Sequence, residues 1–185
     1  MKFIPLALVG AFLIELEPFR DERGAFCRTF CAEEFSQAGL PTSYPQASLS
    51  QNIEPGTLRG MHLQIAPHGE DKLIRVSKGA IFDAAVDLRP DSPTYLQQLH
   101  VKLTAENPNQ LFLPKGLLHG FQTLEPDTHV FYQMTEPYHP ASSRVFCWND
   151  PQFGIPWPLP NPILNLRDAN APVFDHAAWL AELGL

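Results

Sequence analysis

Short runs in which apolar and polar residues alternate, broken repeatedly by proline or glycine, fill most of the chain. Side chains that alternate with period two belong to strands half-buried against a core. The pattern predicts a strand over residues 11–20 that ends at Pro18, a polar turn from Arg20 to Gly24, and a second extended run over residues 25–30. Upstream, Lys2 and the apolar run Phe3 to Ile14 mimic a secretion signal. Pro5 and Gly10 interrupt that run, no small-x-small cleavage site follows it, and alternation continues into Glu17, so an edge strand is the expectation. At about 12 residues the run is also too short to span a bilayer.

Cys31 to Gly39 predicts a short helix with Gly39 as its C-terminal cap. Gln46 to Asn52 predicts a strand with Gln46, Ser48, Ser50 and Asn52 on one face. That face is either open to solvent or, if buried, needs partners, because an unpaired buried polar group costs roughly 1 to 3 kcal/mol. Gly56–Gln64 reads as a strand, and Lys72–Val76, a turn at Ser77-Lys78-Gly79 and Ala80–Leu88 read as a hairpin. Lys72 shares a face with Ile74 and Val76, and Asp83 and Asp87 share one with Ala85, so a carboxylate opposite Lys72 is expected to pair with it. Further strands are predicted over Thr94–Thr104 and His129–Thr135, the latter carrying Tyr132. Between them, Pro114, Gly116 and Gly120 around His119 predict a tight turn that aims an imidazole inward. Tyr138 follows a turn at Pro137, residues 149–162 are proline-rich coil, and Phe174–Leu183 predicts an amphipathic helix.

Composition narrows the fold class. A chain of 185 residues is expected to form one domain, residues 1–185, and its 19 prolines and 11 glycines, scattered rather than clustered, favour all-β architecture. Thirteen basic against 20 acidic residues give a net charge of −7, which disfavours a nucleic-acid partner. Three cysteines, an odd number, argue against a disulfide framework or a four-ligand zinc site and for a reducing cytoplasm, with buried structural thiols as the default.

The chemistry concentrates between Gly56 and Lys72. Arg59, His62, Gln64 and Lys72 place a guanidinium, an imidazole, an amide and an ammonium within one strand and the start of the next. Each alone reads as a surface residue or a satisfied core histidine; together they read as a site. Arg23, at its turn, is free to face an anion, although a solvated turn arginine is the commoner case.

In order along the chain stand Asp-x-Arg-Gly-x-Phe, Gly-Thr-Leu-Arg-Gly-Met-His-x-Gln, Gly-x-Ile-x-Asp-x-x-Val-Asp-x-Arg and Pro-x-Gly-x-x-His-Gly-Phe. Tyr-x-x-x-x-x-Tyr, Trp-Pro and a final Arg-Asp follow. This series, across roughly residues 11–172, resembles the dTDP-4-dehydrorhamnose 3,5-epimerase family. The resemblance implies a cupin-type jelly-roll β-sandwich with short peripheral helices, and a homodimer in which strands near the N-terminus reach the partner. It also implies a nucleotide-sugar substrate, with no cofactor, no nucleic acid and no membrane. Gln64 stands where a metal-binding cupin has its second histidine; Glu70 and His119 leave His62 at most an incomplete ligand set, so no metal is expected there.

The implied chemistry is epimerisation of an NDP-4-keto-6-deoxyhexose, dTDP-4-dehydro-6-deoxyglucose foremost, at carbon 3, carbon 5 or both. A 4-keto group acidifies both positions through an enolate. His62 is the candidate base, its reference pKa of about 6.5 leaving it largely neutral at pH 7. By resemblance Asp168 holds that imidazole, Lys72 stabilises the enolate oxygen and Tyr132 returns a proton from the opposite face. Arg23 and Arg59 resemble diphosphate ligands, His119 a pocket residue, and Gln46, Ser48 and Tyr138 substrate-lining residues. Arg59 and His62 differ in strand parity, so this mapping demands a bulge, for which Gly60 is suited. Arg28, Leu118 and Val145-Phe146-Cys147 depart from the family's commonest pattern. A 3,4-ketoisomerase and a non-catalytic nucleotide-sugar-binding cupin are the alternative readings, and a metal-dependent cupin oxygenase ranks last.

Overall fold

The computed structural model describes residues 1–185 and is built mainly of strands. In chain order they are β1 (Lys2–Pro5), β2 (Phe12–Glu15), β3 (Phe19–Asp21), β4 (Gly24–Phe26), β5 (Gln46–Asn52), β6 (Leu58–Gln64) and β7 (Lys72–Lys78). There follow β8 (Ala80–Asp87), β9 (Gln98–Thr104), β10 (Gln110–Leu113), β11 (Leu117–Thr123), β12 (Thr128–Met134) and β13 (Ser143–Val145). Three short helices complete the chain: α1 (Ala32–Gln37), α2 (Leu166–Ala169) and α3 (His176–Leu183).

Two antiparallel sheets face each other, as expected of a jelly-roll sandwich. One has the order β1-β2-β10-β7-β12-β5, the other β13-β6-β11-β8-β9, and β3-β4 forms a separate hairpin. Ile74, Val76 and Val130 of the first sheet pack against Ile81, Ala85, Leu103, Leu117 and Phe121 of the second. The opposite parity serves two outer layers. Leu73 and Phe112 meet Phe35 of α1 on one side, while Met61, Leu63, Val86 and Leu118 meet Phe153, Phe174 and Trp179 on the other.

The apolar stretch at the start folds as the β1–β2 hairpin, with β1 at the sheet edge, and the run predicted over 11–20 divides into β2 and β3. Gly39, with φ of +72°, follows α1 in the left-handed conformation that glycine adopts freely.

Three expectations fail. The segments either side of Gly79 are strands but not a hairpin: β7 pairs with β10 and β12, and β8 with β9 and β11. Gly79, at φ of +75°, carries the chain from one sheet to the other, and a Cβ there would lie 2.3 Å from Thr128 Oγ1. His119 is likewise not on a turn; the turn is at Pro114–Gly116 and the imidazole projects from mid-strand in β11. The three cysteines are free and half-buried rather than buried.

Candidate active site

The site lies between the sheets, and its irregularity begins in β6. His62 sits opposite His119 and Arg59 opposite Phe121, so three residue steps on β6 match two on β11: the bulge that the parity of Arg59 and His62 demands. Gly60 is the residue that permits it, at φ of +148°. A Cβ on Gly60 would come within 2.6 Å of Gly120 Cα, and one on Gly120 within 3.0 Å of Arg59 O. Two glycines thus let two backbones approach where a side chain would hold them apart.

With both side chains turned inward, Arg59, His62 and His119 join Lys72, Tyr132 and Asp168 around a cavity of about 410 Å³. An adjoining cavity of about 210 Å³ shares His62, Lys72 and Tyr132 and adds Gln46, Ser48 and Tyr138. Nine of the ten predicted site residues therefore border one cleft. The tenth, Arg23, stands apart on the β3–β4 turn, 82% exposed and paired with Asp21.

His62 Nε2 lies 2.7 Å from Asp168 Oδ1. The carboxylate is buried on α2, whose N-terminus is capped by Asn165 Oδ1, accepting from the Asp168 N–H at 2.7 Å. Burial pushes the Asp168 carboxyl upward, but the His62 hydrogen bond and charge, the Gly60 N–H at 3.3 Å and Arg167 together hold it below the ordinary range.

A second pair faces the same space. His119 Nε2 is 3.0 Å from both oxygens of Asp83, and here burial dominates: the Asp83 carboxyl is raised despite His119 and Lys72. Lys72 does not pair with Asp83 or Asp87 as the hairpin reading expected. Its Nζ lies 2.6 Å from Glu70 Oε1, while Asp87 binds Arg89, Ser92 and Thr94 elsewhere.

Tyr132 projects from the opposing sheet, its ring centroid 6.2 Å from that of His119. Burial, with the charge of Asp83, raises its phenol well above the ordinary value although Arg59 opposes this, so it stays protonated at neutral pH. Arg59 Nε donates to Asn52 Oδ1 at 2.8 Å, and the Tyr138 N–H donates to Gln46 Oε1 at 3.1 Å. The polar face of β5 therefore supplies partners to the site rather than solvent contacts alone. Gln64, buried, is spent on backbone groups of the loops beside it and on Glu70 Oε2 at 3.3 Å.

The sequence reading did not single out Asn165, Ser143 and Arg167, all bordering the cleft, nor Asp83 as the partner of His119. Asp83 was the most accessible of these, being a carboxylate of inward parity on an apolar strand. Assigning its partner required the sheet topology.

A family model described as dTDP-4-dehydrorhamnose 3,5-epimerase matches residues 5–176. A dTDP-4-dehydrorhamnose 3,5-epimerase of Methanothermobacter thermautotrophicus is 44% identical over 159 residues, covering 85% of this chain and 84% of that protein. The crystal structure of dTDP-4-dehydrorhamnose 3,5-epimerase from Bacillus anthracis, with TDP and PPi bound, superposes with a TM-score of 0.91 at 40% identity, covering 94% of this chain and 99% of that one. ChmJ, a 3'-monoepimerase from Streptomyces bikiniensis in complex with dTDP-quinovose, gives 0.87 at 34% identity, covering 98% and 90%. With the family match spanning most of the residues and the motif side chains gathered in one cleft, the chain belongs to the dTDP-4-dehydrorhamnose 3,5-epimerase family.

Proposed function

We infer that this protein, acting as one domain over residues 1–185, epimerises an NDP-4-keto-6-deoxyhexose, dTDP-4-dehydro-6-deoxyglucose foremost, at carbons 3 and 5. The observation that carries the mechanism is an imidazole and a phenol that face each other from different sheets, His62 on β6 and Tyr132 on β12. Inverting a carbon requires deprotonation on one face and reprotonation on the other, and a sugar lying between the sheets meets one group on each side.

His62 takes the proton, and Asp168 fixes the tautomer and stabilises the imidazolium that forms. Lys72, on the Tyr132 side, meets the charge developing on the 4-keto oxygen. Tyr132, protonated at neutral pH, delivers the new proton. Arg59 binds the diphosphate as a fork of permanent donors, His119 hydrogen-bonds the sugar, and Gln46, Ser48 and Tyr138 line its far end. Proton transfer of this kind draws on no cofactor. The protein is further proposed to act in the cytoplasm as a homodimer, with the diphosphate role of Arg23 exercised in the partner's cleft; no helix is long and apolar enough to cross a membrane.

Incubation with dTDP-4-keto-6-deoxyglucose in deuterated water tests the reading by NMR. Deuterium is expected at carbons 3 and 5; label at carbon 3 alone marks a monoepimerase, and label with the keto group moved to carbon 3 marks a ketoisomerase. Absence of exchange sinks the enzymatic reading. His62→Ala is expected to abolish exchange at both carbons. Tyr132→Phe is expected to keep abstraction, seen as solvent exchange without net inversion.

A further inference from the structure

At the rim of the cleft, the loop between β6 and β7 meets the loop that follows β12. His68 lies on the first, Glu136 and His139 on the second, all three half-buried. One nitrogen or oxygen from each lies within 4.8 Å of the other two. The imidazoles are stacked, their centroids 3.5 Å apart and their planes 11° apart. All three side chains lie outside the ion pairs and hydrogen bonds of the neighbouring site, so their donor atoms are uncommitted.

The backbone beneath them is tied down. The buried Gln64 amide nitrogen donates to the carbonyls of His68 and Pro137, both at 3.1 Å, and its oxygen accepts from the His139 N–H at 2.5 Å. The same two loops are joined again where the Asp71 N–H donates to Thr135 Oγ1 at 2.8 Å, and that hydroxyl donates to Asp71 Oδ2 at 3.0 Å. Loops already joined in this way spare a ligand the entropy of ordering them.

We propose that His68, Glu136 and His139 form a binding site for a divalent transition-metal ion, zinc foremost. Two imidazoles and a carboxylate are a donor set that favours zinc and its neighbours over magnesium or calcium, which take oxygen ligands. A tetrahedral zinc with ligands at roughly 2.0–2.1 Å separates its ligand atoms by about 3.4 Å. Closing from 4.8 Å asks at most about 1.4 Å of movement. Side-chain rotation supplies this by splaying the stacked rings so that both lone pairs converge on the ion. Water takes the fourth position.

The site is separate from the proton-transfer groups and stands whether or not the proposed reaction is right. It is nonetheless wired to them. The first loop carries Glu70, which holds Lys72, and the second carries Tyr138, bound to Gln46. A bound ion therefore staples together two walls of the cleft.

The test uses the full chain, stripped with a chelator and titrated with ZnCl2 by calorimetry, with metal content measured after desalting. One zinc per chain is expected, with no heat from MgCl2. At a ~100-fold excess over Kd the thermal midpoint is expected to rise about 5–10 °C. Losing even the hydrogen-bond partner of a metal ligand costs about 10–100-fold in affinity. His68→Ala and His139→Ala are therefore each expected to weaken zinc binding at least about 10-fold with unchanged circular dichroism. His139→Gln serves if the alanine variant misfolds. His62→Ala is expected to leave the stoichiometry unchanged. Zinc binding that survives the rim variants, that disappears with His62→Ala, or that is matched by magnesium overturns the proposal, as does failure to bind at millimolar zinc.

Discussion

Two histidine–aspartate pairs stand within one cleft, and their carboxylates are perturbed in opposite directions. At Asp168 burial is overcome by His62, the Gly60 amide and Arg167, so the folded pKa falls below the unfolded value of about 3.9. A depressed acid contributes stability that is complete above its unfolded pKa and is lost as pH falls through the folded one. At Asp83 burial wins, the folded pKa rises, and the stability contribution is present below about pH 3.9 and lost as pH climbs through the raised value. Urea unfolding as a function of pH separates the two. Between pH 4 and 7 the stability of Asp83→Asn is expected to improve relative to the parent, whereas the deficit of Asp168→Asn is expected to shrink only on acidification below about pH 4. The catalytic effects run the other way: Asp168→Asn is expected to lower turnover roughly 10²–10⁴-fold by releasing the wrong tautomer of His62. His62 and Lys72 were legible as site residues from their company in one short stretch. Asp168 was legible only through the family resemblance, since an aspartate after an arginine near the end of a coil carries no signal of its own.

Among the elements, the strands themselves were readable because alternation is a local property. Gln46–Asn52 was bounded correctly, whereas the bulge in β6 was demanded only by the family resemblance, which sets Arg59 and His62 in one site despite their opposite parity. The failure at Gly79 is instructive. A strand, a tight glycine turn and another strand describe both a hairpin and a crossing between sheets, and only pairing with β10, β12, β9 and β11 decides between them. That crossing puts Lys72 and Asp83 on opposite walls and frees Asp83 for His119. The bulge gives a direct test at this scale. Gly60→Ala adds a Cβ where φ is +148° and where Gly120 Cα would lie 2.6 Å away, backbone that cannot yield. A loss of more than about 2 kcal/mol is expected, lowering the thermal midpoint by at least about 4 °C, with activity falling as Arg59 and His62 lose their common orientation.

The whole molecule is acidic, at net −7, yet Arg59, Lys72 and Arg167 gather at the cleft, so an anionic substrate repelled by most of the surface finds its attraction there. The β3–β4 hairpin is the other feature of this scale. Phe19 and Phe26 pair across it on one face and are 68% and 79% exposed, beside an Arg23 that its own cleft does not use. Exposed paired aromatics of this kind fit the proposed dimer interface. Sedimentation is expected to give a dimer, and a Phe19→Asp, Phe26→Asp double variant a folded monomer with weakened substrate binding. A fully active monomer would show that Arg23 has no role in the reaction.

The link between His62 and Asp168 joins residues 106 positions apart, across most of the strand pairings. Contacts so distant in sequence carry the largest loop-closure cost and are among the last that a β-sandwich can afford to make. A chain that has assembled its sheets but not yet seated α2 would have the shape of the finished protein and a base with no partner. Turnover thus becomes a reporter of completed folding: any intermediate in which α2 has yet to dock is expected to be slowed at least as much as Asp168→Asn, roughly 10²–10⁴-fold.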